Sequence, residues 1–166
     1  MKYVLLICCS CCISLYATAQ PGRYSGAMKS LIGQEWSDSL PELKGWTFRE
    51  GSMVSAVSDP SWFYIRIYQN GKSCIAVCSI VEDTSKNNQI IVDVATIKNS
   101  KKGSEFRSVV CRERNIENSF IVAQVYPGKR NYSIATLKAW RFNRDKMRFE
   151  WVNPKDVDCL NEGSGK

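Results

Sequence analysis

The sequence predicts a mainly β fold, an antiparallel meander of about seven strands curled into a barrel or a sandwich, with one short N-terminal helix. Three observations predict it. Apolar residues alternate with a period of two along much of residues 61–153, as in half-buried strands. Turn residues interrupt these runs at intervals of roughly ten to fifteen residues, and short connections favour antiparallel neighbours. Asn70-Gly71 joins two of the runs, which is the strongest short-range hairpin signal.

The elements before the meander are less regular. Within residues 24–34, apolar residues recur at spacings of three and four up to Gly33, which predicts a short amphipathic helix ended by that glycine. Residues 45–49 and 53–57 predict a first strand or pair of strands. The meander itself is predicted at residues 62–69, 72–81, 89–97, 105–111, 119–126, 132–142 and 147–152.

The first 19 residues have the pattern of a secretory signal peptide. Lys2 precedes an apolar run over residues 4–16, and small residues at positions 17 and 19 predict cleavage after Ala19. The run is shorter than the ~20 apolar residues that cross a bilayer. A lipoprotein signal is the alternative, since a cysteine stands at position 8, but bulky Ile7 precedes it. We therefore expect a secreted or periplasmic protein with no membrane span.

Residues 20–166 are expected to form one β-rich domain, with the helix and first strand region at 20–60, the meander at 61–153 and a tail at 154–166. The 166-residue chain is 44% hydrophobic and 23% charged, as globular proteins are. It contains no His, which excludes Ser-His-Asp and Cys-His catalysis and His-ligated metal. No phosphate-binding loop is present, and we expect no cofactor.

Four cysteines follow the signal segment, an even number that predicts two disulfides in an exported protein. Cys74 and Cys78 lie on one predicted strand, with Cα atoms about 13 Å apart, whereas a disulfide needs about 7 Å or less. Each is therefore expected to pair with either Cys111 or Cys159, in one of the two possible combinations. The Cys-x2-Cys spacing of a zinc site is absent among these four, so no metal is expected.

The first predicted hairpin carries the most binding-like feature. One face of its first strand is an alternating row of large rings around a cation, namely Trp62, Tyr64, Arg66 and Tyr68. Exposed Trp, Tyr and Arg are typical of protein interfaces and of stacking platforms. The alternative is a second buried face, which the apolar residues Ile75 and Val77 on the facing strand favour.

A second candidate is a basic cluster around the last two predicted hairpins, which includes Lys129, Arg130, Trp140 and Arg141. Such a cluster could bind an acidic protein or an anionic polysaccharide by electrostatic attraction. The alternative is a solvated face that keeps the chain soluble, in keeping with its net charge of +7. Nucleic acid is the less suitable partner, because export argues against intracellular targets.

The function that these features predict is a non-enzymatic binding module, inhibitor-like or adhesion-like. It would engage an extracellular or periplasmic protein or glycan as a monomer. One alternative is a small secreted glycan hydrolase with a carboxylate pair that includes Asp93, although an outward-facing or salt-bridged Asp93 is the simpler expectation. A second alternative is a purely structural extracellular domain.

Overall fold

The computed structural model describes residues 26–56, 59–83, 88–97, 101–128, 131–133 and 136–161. These residues contain one four-residue helix, α1 (Gly26–Lys29), and two short 3-10 turns at Pro41–Leu43 and Pro154–Asp156. The remaining elements are twelve strands: β1 (Thr47–Ala56), β2 (Asp59–Asn70), β3 (Ser73–Asp83), β4 (Asn88–Ile97), β5 (Glu105–Ser108), β6 (Cys111–Glu113), β7 (Ile116–Glu117), β8 (Ile121–Val125), β9 (Tyr132–Ser133), β10 (Thr136–Asn143), β11 (Arg148–Val152) and β12 (Val157–Leu160).

The strands form three antiparallel sheets of four. Sheet A has the order β1-β2-β3-β4, sheet B the order β11-β10-β8-β5 and sheet C the order β7-β6-β12-β9. The predicted mainly antiparallel β fold is confirmed, and the described strands form no closed barrel. Only sheet A keeps the predicted meander order. The later strands alternate between sheets B and C, and five of them have only two to four residues.

Sheets A and B pack face to face around the largest apolar cluster. Phe63, Ile65 and Ile67 of β2 meet Trp140 and other large side chains of sheet B. We call the side of sheet A that faces sheet B its inner face and the opposite side its outer face. Sheet B is also buried on its other side. Successive residues of β8 alternate between the core shared with sheet A and the core shared with sheet C, as strand geometry requires.

Two carboxylates tie sheet A to sheet B. The Glu50 Oε1 atom accepts hydrogen bonds from the Ser108 backbone N–H and hydroxyl at 2.9 and 2.7 Å. The Asp93 Oδ2 atom accepts one from the backbone N–H of Phe149. Backbone groups at the sheet interface thus obtain the partners that buried polar groups need.

The N-terminal segment (residues 26–46) lies on the outer face of sheet A. Its apolar side chains, including Leu31 and Leu43, pack on Ile75, Val77 and neighbouring residues. The stretch 33–36 also runs antiparallel to β4, with hydrogen bonds such as the one from the Gly33 N–H to the Ile91 carbonyl at 2.8 Å. α1 ends at Lys29 and a turn follows it up to Gly33, whose φ of 87° leads into the extended stretch, so the helix is shorter than predicted.

The predicted hairpin is present, but its turn is displaced by one residue. Asn70 pairs with Ser73, so that Gly71 and Lys72 form the loop and only Gly71 has a positive φ, 55°. This pattern is typical of a turn with glycine at its first central position. The displacement moves each pairing by two residues, which preserves the faces. Ile75 and Val77 therefore still lie across from the ring row.

The prediction of two disulfides is wrong for the described cysteines. Cys111 and Cys159 form a disulfide, because they lie directly opposite each other on β6 and β12. Cys74 and Cys78 are buried free thiols. Their partners on the neighbouring strands are Gln69 and Ile97 for Cys74, and Ile65 and Asp93 for Cys78. No thiol therefore stands opposite either one.

The tail predicted at residues 154–166 includes a strand of the fold. Residues 157–160 form β12, whose Val157 and Cys159 are buried in the core between sheets B and C, so the four-residue apolar alternation there was a strand signal. The predicted signal peptide, residues 1–19, lies outside the described residues. Within those residues no helix has the length and apolarity that crossing a bilayer demands.

We expect Cys74 and Cys78 to resist alkylation in the folded protein and to react after unfolding. Burial raises the pKa of both thiols, which leaves little reactive thiolate. Peptide mapping without reductant should find iodoacetamide on these two only when denaturant is present, and should find the Cys111 peptide linked to the Cys159 peptide. Rapid labelling of Cys78 under native conditions, or a linkage through Cys74, would contradict the structure.

Candidate functional site

The outer face of sheet A is covered at one end and open at the other. At the covered end, Tyr68 is 6% exposed and its ring lies 5.8 Å from that of Trp36 in the N-terminal segment. Met53 and Trp62 lie at the open end and are 49% and 39% exposed. Phe48 is 55% exposed and stands opposite Tyr68, with the two ring centres 5.6 Å apart. With half-buried Tyr64 they form what we call the aromatic patch (Phe48, Met53, Trp62 and Tyr64).

The register of β1 and β2 brings the aromatic patch together. Met53 pairs with Tyr64, and Ser55 pairs with Trp62, so these side chains project from the same face. Gly51 leaves room for the Phe48 ring, since a Cβ atom at this glycine would lie 3.0 Å from the ring atom Cε2. The ring of Phe48 therefore lies over β1 and extends the patch along the strand.

Arg66 holds the rings beside the patch. Its guanidinium carbon lies 4.2 Å from the centre of the Trp36 ring and 4.5 Å from that of Tyr64. Nη1 donates to the Ser79 hydroxyl at 2.9 Å, and Nη2 donates to Gln89 Oε1 at 2.6 Å. Burial lowers the pKa of Arg66 from its usual value. Arg66 is thus a positioning residue that joins β2 to the N-terminal segment, not a freely solvated cation.

The ring row predicted from sequence is therefore divided. Trp62 and Tyr64 lie at the open end, Arg66 lies at the boundary, and Tyr68 belongs to the core under the N-terminal segment. Burial raises the pKa of the Tyr68 hydroxyl to about 12, so this side chain is a neutral packing residue at physiological pH. The two interpretations of the row each describe one half of it.

The predicted basic cluster has a different environment. Lys129 and Arg130 lie outside the described residues. Trp140 is buried in the core between sheets A and B, edge-on to Trp151 with the ring centres 5.1 Å apart. Arg141 forms an ion pair with Glu113, with Nη1 2.9 Å from Oε2. The two described residues of this predicted site thus have structural roles, since Trp140 packs in the core and Arg141 forms an ion pair.

The described acidic residues and potential metal ligands form no second candidate site on sheet A. Asp93 is 2% exposed and faces the inner core, so of the two expectations, an outward-facing or a salt-bridged side chain, the outward-facing one is wrong. A carboxylate that is enclosed in this way and bound to a backbone N–H has no access to a glycosidic bond. The described residues contain no group of three or more side chains suited to hold a metal ion.

The sequence analysis missed three residues of this site. Phe48 and Met53 are apolar positions of a strand that sequence reasoning located only roughly, and their exposure depends on β1 being an edge strand. Trp36 lies beside the rings because residues 33–36 pair with β4. That pairing is a contact between distant parts of the chain, which local periodicity does not encode.

Replacing Arg66 by Ala should lower the free energy of unfolding by about 2–4 kcal/mol, because two hydrogen bonds to a charged group and two ring contacts are lost. Urea denaturation would measure it. Arg49→Ala is the matched control, since Arg49 is exposed on the same sheet and has one hydrogen bond, to Gln69; it should cost less than about 1 kcal/mol. Equal stability of the two variants would refute the positioning role of Arg66.

Glu150 should make the basic region acid-sensitive. Hydrogen bonds from Asn143, Lys146 and Arg148 lower the pKa of its carboxyl from 4.5 to about 2. Its stabilising contribution is therefore complete above pH 4.5 and disappears as the pH falls towards 2. Glu150→Gln should flatten the dependence of unfolding free energy on pH in this interval, whereas Glu35→Gln, at an exposed position, should not. Identical pH profiles for the wild type and Glu150→Gln would contradict the assignment.

Comparison with known proteins adds no family. No protein-family model matches the sequence, no curated protein matches it, and no solved structure matches its fold. Inference about function consequently depends on the residues, their exposure and their contacts.

Proposed function

We propose that this protein is a secreted, non-enzymatic binding module that engages an extracellular or periplasmic protein through the aromatic patch. One observation carries the proposal. Phe48, Met53 and Trp62 are exposed together on one sheet face, although folding normally removes such side chains from water. Exposed apolar side chains that collect on one face mark interaction sites on soluble proteins.

The composition of the surface supports a protein as the partner. Protein interfaces are enriched in Trp, Tyr, Phe, Met and Arg, and the patch with its neighbour Arg66 contains one of each. Both terminal nitrogens of Arg66 already donate hydrogen bonds within the chain. An acidic glycan would therefore find no freely solvated cation at this position, whereas an apolar protein surface could pack on the rings.

The rings are also held in place before binding. The guanidinium of Arg66 stacks on Tyr64, and Phe48 lies over Gly51. A side chain that is fixed in the free protein loses little conformational entropy when it becomes part of an interface. The patch is thus suited to act as an anchor for binding.

Export is part of the proposal. The pattern of residues 1–19 predicts a signal peptide cleaved after Ala19, and the disulfide between Cys111 and Cys159 is compatible with an oxidising compartment. We propose that the processed protein acts as a monomer without a cofactor. Its partner would then be another macromolecule in that compartment.

Trp62→Ala and Met53→Ala should each weaken partner binding, by roughly tenfold or more for the tryptophan, because large rings dominate interface energetics. Both side chains are partly solvated in the free protein, so circular dichroism and thermal melts should change little. Ile116→Ala is the matched control, since Ile116 is 72% exposed on sheet C and should retain full binding.

The measurement would be affinity capture from the secreted fraction of the source cells, followed by titration of the captured protein against all three variants. Equal affinity of the wild type and Trp62→Ala would refute the patch as the contact surface. If a glycan is captured and its binding requires Trp62, the aromatic patch is still the contact surface, but the partner is a glycan and not a protein.

A further inference from the structure

A small cavity opens at sheet C. Its volume is about 170 Å³. The apolar wall consists of Val109, Val110, Tyr132 and Leu160, and the charged groups are Arg112 and Glu117. The cavity is separate from the aromatic patch, because sheet C packs on the side of sheet B that faces away from sheet A.

A row of alternating charge crosses this sheet. Arg112 pairs with Asp158 on β12 and with Glu117 on β7, so that one cation stands between two carboxylates. Arg112 donates two hydrogen bonds to Asp158, from Nε to Oδ1 at 2.8 Å and from Nη2 to Oδ2 at 2.7 Å. Its guanidinium carbon lies 3.4 Å from the centre of the Tyr132 ring. The three charges of this row sum to −1. Because Arg112 is paired with Asp158, the remaining negative charge is that of Glu117.

Glu117 differs from the acids around it. Glu113 is paired with Arg141, and Asp156 is paired with Arg114, at 2.9 and 3.3 Å. The Glu117 side chain is exposed, and no described residue forms a hydrogen bond or ion pair with it. Its carboxylate thus remains available at the cavity.

The apolar wall is built on strained backbone. Val109 has a φ of 67°, a conformation that is unfavourable for a β-branched residue. The Val110 N–H donates to the Ser108 carbonyl at 2.7 Å, which closes a γ-turn of the rare, positive-φ form. The Leu160 N–H then donates to the Val110 carbonyl at 2.9 Å and fixes two parts of the wall to each other. Such strain persists where surrounding structure maintains it, and it concentrates at binding sites.

We propose that this cavity binds a primary alkylammonium group, with the alkyl stem against Val109, Val110 and Leu160 and the ammonium at Glu117. A cavity of about 150 Å³ holds benzene, so a four-carbon stem fits the volume. An anionic ligand is disfavoured, because the carboxylates of Asp158 and Glu117 outnumber the single charge of Arg112 and would repel a further negative charge. The ligand is either a lysine side chain of another protein or a free amine.

The test is a titration of the ¹⁵N-labelled protein with n-butylammonium chloride, followed by NMR. Amide signals of Val110, Glu117 and Leu160 should shift in a saturable manner. n-Butanol, which has the same stem without charge, should bind about two- to fivefold more weakly, and butyrate, which has the opposite charge, should shift the signals weakly or not at all. Binding of n-butanol as tight as that of n-butylammonium, or no saturable shift with the ammonium, would overturn the proposal.

Variants test whether Glu117 provides the charge that binds the ammonium group. Glu117→Gln should weaken n-butylammonium binding about two- to fivefold, as for the loss of one exposed ion pair. The matched control Glu35→Gln removes an exposed glutamate on the segment paired with sheet A and should leave the affinity unchanged. An unaltered affinity in Glu117→Gln, with its amide spectrum still that of the folded protein, would also refute the proposal.

A second titration separates the two sources of the amine. Nα-acetyl-lysine methylamide presents the same ammonium on a peptide backbone. Tighter binding of this compound than of n-butylammonium supports a lysine side chain as the natural ligand, and weaker binding supports a free amine. If neither compound binds, the proposal for the cavity is refuted. The function proposed for the aromatic patch is then unaffected, because the two sites share no residues.

Discussion

Both faces of sheet A are apolar, and the rest of the structure depends on how each one is covered. Sheet B covers the inner face, with Phe63, Ile65 and Ile67 in the shared core. The N-terminal segment is the only described cover of the outer face, and it packs on Ile75 and Val77 but leaves Trp62 exposed. The boundary between cover and solvent falls at Arg66, whose stacking on rings from both sides stabilises it. The candidate binding surface is thus the part of an apolar face that a short segment does not reach.

The faces of the strands could be predicted from sequence, because the period of two depends only on local backbone geometry. The apolar positions Ile75 and Val77 opposite the ring row are confirmed, even though the hairpin turn is displaced by one residue. Such a displacement shifts pairings by an even number and so leaves every side chain on its predicted face. Which face receives which cover could not be predicted, since the pairing of residues 33–36 with β4 joins segments more than fifty residues apart.

The cysteines show the same limit. The separation of Cys74 and Cys78 along one strand correctly excluded a bond between them, and the structure confirms that none exists. The even count of four then suggested two bridges, but the count contains no information about register. Cys111 and Cys159 face each other on β6 and β12, and the strand that contains Cys159 had been assigned to a tail. Once β12 is part of sheet C, Cys159 has a partner, and the two thiols of β3 remain as apolar core residues, where buried cysteine packs well.

The stacking of layers also determines how the two candidate sites relate. The aromatic patch lies on the outer face of sheet A, whereas the cavity lies at sheet C, with sheet B between them. The two sites share no residues. The patch is apolar with its cation enclosed, whereas the cavity has an exposed carboxylate, Glu117, across the strands from Arg112. The two surfaces therefore differ in chemistry, because the patch offers ring area for packing whereas the cavity offers charged groups beside an apolar wall.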